Sequence, residues 1–506
     1  MSKKNERPAA EFRIAVVLCF ALAITPLPAF SHTLPPLVSQ ALKQAGIPKS
    51  AVGIYVHEIG AAKPRLAINA NVAMNPASVM KLVTTFAGLE LLGPAYTWKT
   101  EVYANGTLNG DTLQGDLVMK GYGDPRLNLE NFWLLTRRLR QTGLREITGD
   151  LVLDNSYFDT PIGDPAAFDG KPHRAYNIFP EALLVNYRTL ALRLIPQSES
   201  KTVRIVVEPL PESLDISNNL KLTGDKCDNW HDTLGADIRA GMDGASRPSV
   251  GLNGAYSLDC GEKTLLLGLH DSPTYTFGLF RQLWGEQGGV FRGKVRTGAA
   301  PEGILPLEIH QSPPLAEIVR DINKFSNNIS ARQLFLALGI ASGASTAPTG
   351  PTGFAGIANG ATGGNMPATL PKSDAAIRQW LASKQLHFHE LIIENGSGLS
   401  RNERISASHL GKLMLAAFQS PVMPEFISSL PITAVDGTMK KRLNGTSIAG
   451  KAHIKTGSLD GVRTMAGYML DKSSRRLAVV FFVNHPRSGN AQSAMDALLQ
   501  WAHERR

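Results

Sequence analysis

The chain has 506 residues, 43% of them hydrophobic and 19% charged, with a formal net charge of +9. That composition excludes an intrinsically disordered or membrane-embedded protein, and the length, at roughly 150 residues per domain, points to about three domains. A basic surface suits an anionic neighbour, such as peripheral contact with a membrane face or a cell-wall polymer, without demanding one.

Lys3, Lys4, Arg7 and Arg13 precede an apolar run over 14–24, and Pro26, Pro28 and the small-residue pattern Ala29-Phe30-Ser31 follow it. Basic, apolar and cleavable segments in that order predict a secretory signal peptide over 1–31 and a mature protein that works in the periplasm. Cleavage lowers the net charge from +9 to +7 and removes Cys19, leaving Cys227 and Cys260. In an oxidising compartment two such cysteines pair; two buried free thiols are the other reading.

The β-rich segment 51–59 reads as a strand and 64–70 as its hairpin partner. A helix is expected from Ser78, because Leu82, Val83, Phe86 and Leu89 recur at helical spacing before Gly93-Pro94 ends it. Residues 96–292 change character to short β-prone runs punctuated by Gly, Asp, Asn and Pro, consistent with one or two mostly β domains. Helical periodicity returns over 315–325 and 331–338, followed by a stretch over 339–371 rich in Gly, Ala, Thr and Pro. Such a composition buries too little apolar surface to order itself, so a mobile surface insertion is expected. The remainder holds a turn at Asn395-Gly396-Ser397-Gly398, strands near 453–456 and 478–483, and a last helix. That helix carries Met495, Leu498, Leu499 and Ala502 on one face, expected to pack on a sheet.

Ser78-Val79-Met80-Lys81 places a hydroxyl and an amine three residues apart at a helix start, where both project from one face. An amine can take the serine proton only when neutral. Lowering a lysine pKa from about 10.4 to about 7–8 requires burial or a second cation nearby. Lys455-Thr456-Gly457-Ser458 supplies that cation after the strand-like His453-Ile454, and Gly457 lets a substrate backbone come close. Between them lies Ser326-Asn327-Asn328, with a hydroxyl to relay a proton and an amide to bind a substrate carbonyl. A decoy set, Ser198 to Lys201, Ser217-Asn218-Asn219 and Arg296-Thr297-Gly298, occurs in the same order, but its serine lies in a polar run where nothing depresses a lysine pKa.

These three signatures resemble those of the penicillin-binding proteins and serine β-lactamases, S-x-x-K, S-x-N and K-T-G. The separation of 248 residues between Ser78 and Ser326 is similar to that in the large D-alanyl-D-alanine carboxypeptidases and endopeptidases of the penicillin-binding protein 4 type. Segments at 121–125, 154–158, 395–400 and 436–438 fit that subfamily, so the resemblance spans the mature chain.

The resemblance implies an α/β fold: a β-lactamase/transpeptidase-like catalytic domain, an antiparallel sheet with flanking helices, carrying inserted mostly-β domains. The catalytic part would comprise 32–95 and 293–506, the second domain 96–168 and 245–292, and the third 169–244. It further implies cleavage of D-Ala-D-Ala bonds, and D-centred crosslinks, in peptidoglycan stem peptides, with acylation by β-lactams. Ser78 would be the nucleophile, Lys81 the base, Ser326 and Asn328 their partners. The amides of Ser78 and Ser458 would form the oxyanion hole, while Lys455 and Thr456 hold the terminal carboxylate. Asp154 and Phe158 would contact the stem-peptide side chain. One departure is Asn395, where Asp is more usual. The competing readings are a β-lactamase and a non-catalytic peptidoglycan-binding scaffold. No paired metal-ligand spacing, cofactor loop or nucleic-acid groove stands out, so hydrolysis without a metal or cofactor and without a nucleic-acid partner is expected.

Overall fold

The computed structural model describes residues 33–161, 163–212, 214–228, 230–239, 248–341 and 367–505. The expected signal peptide, and residues 342–366 of the expected mobile insertion, lie outside the described residues. Two distant parts of the chain build one five-stranded antiparallel sheet in the order Ala452–Leu459, Val462–Leu470, Arg476–Asn484, Val52–Glu58 and Leu66–Ile68.

Side chains alternate across a strand, and here both faces are covered, which is why residues 477–483 are an unbroken apolar run. Val479, Phe481 and Val483 pack with Val38, Leu42, Leu498 and Leu499 of helices Pro36–Gln44 and Gln492–Glu504. Ala478, Val480 and Phe482 belong to the opposite core with Val83, Phe86, Ile318 and Leu334, from helices Lys81–Leu91, Leu315–Phe325 and Asn328–Ala341. The last helix therefore spends its apolar face on the sheet. No helix among the described residues is long and apolar enough to cross a membrane.

The intervening chain forms a seven-stranded sheet around the hairpin of Lys99–Asn109 with Thr112–Gly121, and two three-stranded sheets. Strand pairing in these units reaches past residues 244 and 292. Val295–Thr297 lies parallel to Leu151–Asp154 and Glu308–Gln311 antiparallel to Lys99–Asn109, both past residue 292. Ser249–Ser257 lies between Asp215–Thr223 and Leu234–Arg239, and Lys263–Gly268 pairs with Thr189–Gln197, both past residue 244. Partner choice in a sheet is a tertiary property, which local composition does not carry. The decoy Ser198 and Lys201 are exposed where Thr189–Gln197 turns into Thr202–Glu208.

Cys227 and Cys260 are joined in a disulfide across a sequence separation of 33. Closing a loop of that length removes denatured-chain entropy worth about 4 kcal/mol. A double Cys227→Ala/Cys260→Ala variant is expected to unfold its inserted β region at clearly lower urea concentration, followed by circular dichroism. An unchanged midpoint would contradict that contribution.

Candidate active site

Ser78 sits in a single 3-10 turn, Ala77–Met80, immediately ahead of the α-helix Lys81–Leu91. Residues i and i+3 eclipse in that tighter winding, and Lys81 Nζ accordingly lies 3.1 Å from Ser78 Oγ. Ala77 takes φ +47°, a left-handed conformation costing a non-glycine residue about 1–3 kcal/mol. One local and two long-range hydrogen bonds hold it there. Asn75 Oδ1 accepts from Ala77 N–H at 2.9 Å, Asn75 N–H donates to Asn484 Oδ1 at 2.8 Å, and Thr464 Oγ1 donates to Pro76 O at 2.7 Å.

Lys81 is wholly buried. Its Nζ donates to Asn328 Oδ1 at 2.5 Å and to the carbonyl of Ser397. Burial holds its pKa well below the ordinary lysine value; the cations of Lys455 and Arg332 push the same way, while Glu403 opposes them. Glu403 is itself buried, and desolvation raises its carboxyl to about 7 although the backbone N–H groups of Glu394 and Asn395 donate to it at 3.1 and 3.2 Å. Arg332 donates to Ile178 O at 3.1 Å, and burial lowers it only to about 10, so it stays a cation at neutral pH.

Ser326 caps helix Leu315–Phe325 in the left-handed conformation, φ +59°, and the next helix starts at Asn328. That sharp junction turns Ser326 and Asn328 toward the same space as Ser78. Lys455, on the outer strand of the main sheet, is also wholly buried, and its Nζ donates to Ser326 Oγ at 2.9 Å and Thr456 O at 2.7 Å. Burial lowers it to about 7. Asp436 is structural: it pairs with Lys324 at 2.6 Å and accepts from Ile432 N–H at 2.8 Å. Gly457 permits close packing of strand on turn, since a Cβ there would sit 2.8 Å from Ser78 N and would collide with Thr464 Oγ1.

Ser78, Ser326, Asn328, Thr456 and Ser458 line one cavity of about 870 Å³, with Lys81, Lys455 and Gly457 behind its wall. Asp154 and Phe158, expected to contact substrate, do not border it. Asp154 accepts from Ser156 N–H at 2.9 Å and Ala300 N–H at 2.7 Å and is 3.8 Å from Lys120. Phe158 packs with Ala182, Leu336 and Ala368. Both side chains meet partners within the fold. Sequence reasoning missed Phe168, Asp169, Lys171, Arg401 and Arg463, which line the cavity, and Arg332 and Glu403, which set its field. None sits in a motif, and only the tertiary fold brings them to Ser78. A smaller cavity of about 160 Å³, bordered by His173, Leu214 and Tyr275, holds no comparable nucleophile and base.

The model of the family described as the D-Ala-D-Ala carboxypeptidase 3 (S13) family matches residues 36–356 and 357–504. A D-alanyl-D-alanine carboxypeptidase from an Actinomadura species is 26% identical over 437 residues, covering 83% of this chain and 75% of the relative. The D-alanyl-D-alanine carboxypeptidase DacB of Haemophilus influenzae is 22% identical over 427 residues, covering 84% of this chain and 83% of the relative. The crystal structure of penicillin-binding protein 4 from Haemophilus influenzae shares the fold, with a TM-score of 0.72 at 21% identity over 92% of this chain and 99% of that one. That protein has also been solved in complex with a β-lactam, with a TM-score of 0.70.

Arg332 offers a test of the field at Lys81. Replacing it with Gln keeps a hydrogen-bond donor but removes a cation that holds the Lys81 pKa down, so that pKa rises. Since the amine acts when neutral, the acidic limb of the rate of acylation by benzylpenicillin is expected to move to higher pH. Arg332→Lys, which keeps the charge, should leave the limb in place. A limb that stays put or moves to lower pH in Arg332→Gln contradicts the assignment.

Proposed function

The chain belongs to the D-Ala-D-Ala carboxypeptidase 3 (S13) family, and from that premise we propose that Ser78 is its nucleophile and Lys81 its general base. The protein is a serine-type D-Ala-D-Ala carboxypeptidase acting on peptidoglycan stem peptides. One observation carries the residue assignment: the wholly buried Lys81 Nζ lies 3.1 Å from Ser78 Oγ while bonded to two acceptors, Asn328 Oδ1 and Ser397 O. A neutral amine has two N–H bonds and one lone pair. With both N–H bonds directed at those acceptors, the lone pair is left for the serine proton.

Ser78 Oγ then attacks the carbonyl carbon of the penultimate D-Ala as its proton passes to Lys81 Nζ. The developing oxyanion takes hydrogen bonds from the Ser78 and Ser458 backbone amides; losing one such donor typically costs about 3–4 kcal/mol. Collapse of the intermediate breaks the peptide C–N bond. The proton taken by Lys81 passes through Ser326 Oγ, which Lys455 holds at 2.9 Å, to the leaving amine of the terminal D-Ala, and Lys81 is neutral again. Asn328 has its amide oxygen taken by Lys81, leaving Nδ2 for a substrate carbonyl. Water, activated by the same base, hydrolyses the acyl-Ser78 ester.

A β-lactam presents the equivalent amide inside a ring, so its opened leaving group stays tethered to the acyl-enzyme. A D-centred crosslink is cut by the same steps when the cleft admits a substituted leaving amine. Segment 1–31 directs export to the periplasm, and the β-rich insertions form two further domains.

D-alanine release from a peptide ending in D-Ala-D-Ala checks the assignment. The rate is expected to fall by about ten-thousandfold or more in Ser78→Ala and to a similar background in Lys81→Met, as for residues that act as a unit. A Ser78→Ala enzyme within tenfold of wild type would place the nucleophile elsewhere.

A further inference from the structure

A substrate ending in a carboxylate calls for a cation that reaches it, and Lys455 is poorly placed for that task. It is wholly buried, and its Nζ is committed to Ser326 Oγ and Thr456 O. Three other cations line the cleft: Lys171, Arg401 and Arg463. Two of them are already engaged. Lys171 pairs with Asp232 at 3.2 Å, while Arg401 donates to Asp460 O at 2.8 Å and lies 4.8 Å from the Phe168 ring centroid. The Arg463 guanidinium has no ion pair or hydrogen bond among the described residues.

Its position is specific. Arg463 stands directly opposite Ser458 on the neighbouring antiparallel strand, a pairing that brings Cβ atoms to about 4.5–5.5 Å. Thr456 follows one pleat along the same face, and all three line the cleft with Ser78. A guanidinium offers a planar fork of donors matched to the two oxygens of a carboxylate, which an ammonium lacks.

From this placement we infer that Arg463, with the Ser458 hydroxyl beside it, binds the substrate's terminal carboxylate and so sets the preference for a free C-terminus. Lys455 then acts behind the cleft wall, orienting Ser326 and adding to the field at Lys81. The inference rests on the reading that Ser78 attacks the penultimate carbonyl, one residue before that carboxylate.

Two thioesters of the same acyl-D-Ala test it, one whose leaving group carries a carboxylate and one whose leaving group is the matching carboxamide. Thiol release is followed for wild type, Arg463→Gln and Arg463→Lys. Arg463→Gln is expected to lose about 10- to 100-fold in kcat/KM on the carboxylate thioester, chiefly through KM, as for loss of a charged hydrogen bond. The carboxamide thioester should be turned over at the wild-type rate, and Arg463→Lys should recover part of the carboxylate preference. Equal losses on both thioesters, or none on either, would overturn this role while leaving the Ser78 reading intact. A wild-type enzyme that releases thiol from neither would overturn both.

Discussion

Lys81 and Lys455 are both wholly buried at one cleft, and two ammonium groups sharing a low-dielectric site carry a desolvation cost of several kcal/mol each. Protonation of either raises the cost of protonating the other, and the charged Arg332 adds to the pressure on Lys81. The arrangement favours the neutral amine more than an ordinary lysine's surroundings do. Glu403 is the counterweight: it favours the protonated amine, but its own burial raises it to about 7 and so weakens its charge near neutrality. The S-x-x-K spacing places the amine 3.1 Å from Ser78 Oγ, and burial favours its neutral form. The exposed decoy Lys201 has spacing without burial.

Holding that pocket closed requires the long-range contacts of the fold. The turn bearing Ser78 is tied to the main sheet through Thr464 and Asn484, and the outer strand reaches it because Gly457 has no side chain to block the approach. Gly398, at φ +78°, lies against Ala77 in the same way, which brings the Ser397 carbonyl to Lys81. The helix junction at Ser326 closes the third side. The inserted sheets add an outer wall through the segment carrying Phe168, Asp169, Lys171 and Tyr176, so the cleft is a joint product of the catalytic scaffold and the insertion.

Much of this was legible in the sequence because its causes are local. Ser78 and Lys81 are three positions apart in one turn, the helix over 315–325 has an apolar stripe, and the strand over 478–483 is apolar on both faces. The requirement for burial or a second cation near Lys81 followed from pKa arithmetic; burial is the larger cause, and Lys455 adds to it. What the sequence hid depends on partners distant along the chain. Arg332, Glu403 and Arg463 lie outside every motif read from the sequence, and only the tertiary fold brings them to Lys81 or the cleft. Strands that pair across residues 244 and 292 depend on such distant partners too. The partners of Asp154 and Phe158, Ala300 N–H and the Leu336 cluster, are likewise distant along the chain.

The most direct test of the central claim is mass spectrometry of the purified protein after incubation with benzylpenicillin, with digestion to locate the adduct. A penicilloyl mass on the peptide containing Ser78, absent from Ser78→Ala, is the result expected of a serine activated by a neutral buried lysine. An adduct on another residue, or none on either protein, would contradict the acyl-enzyme account at its foundation.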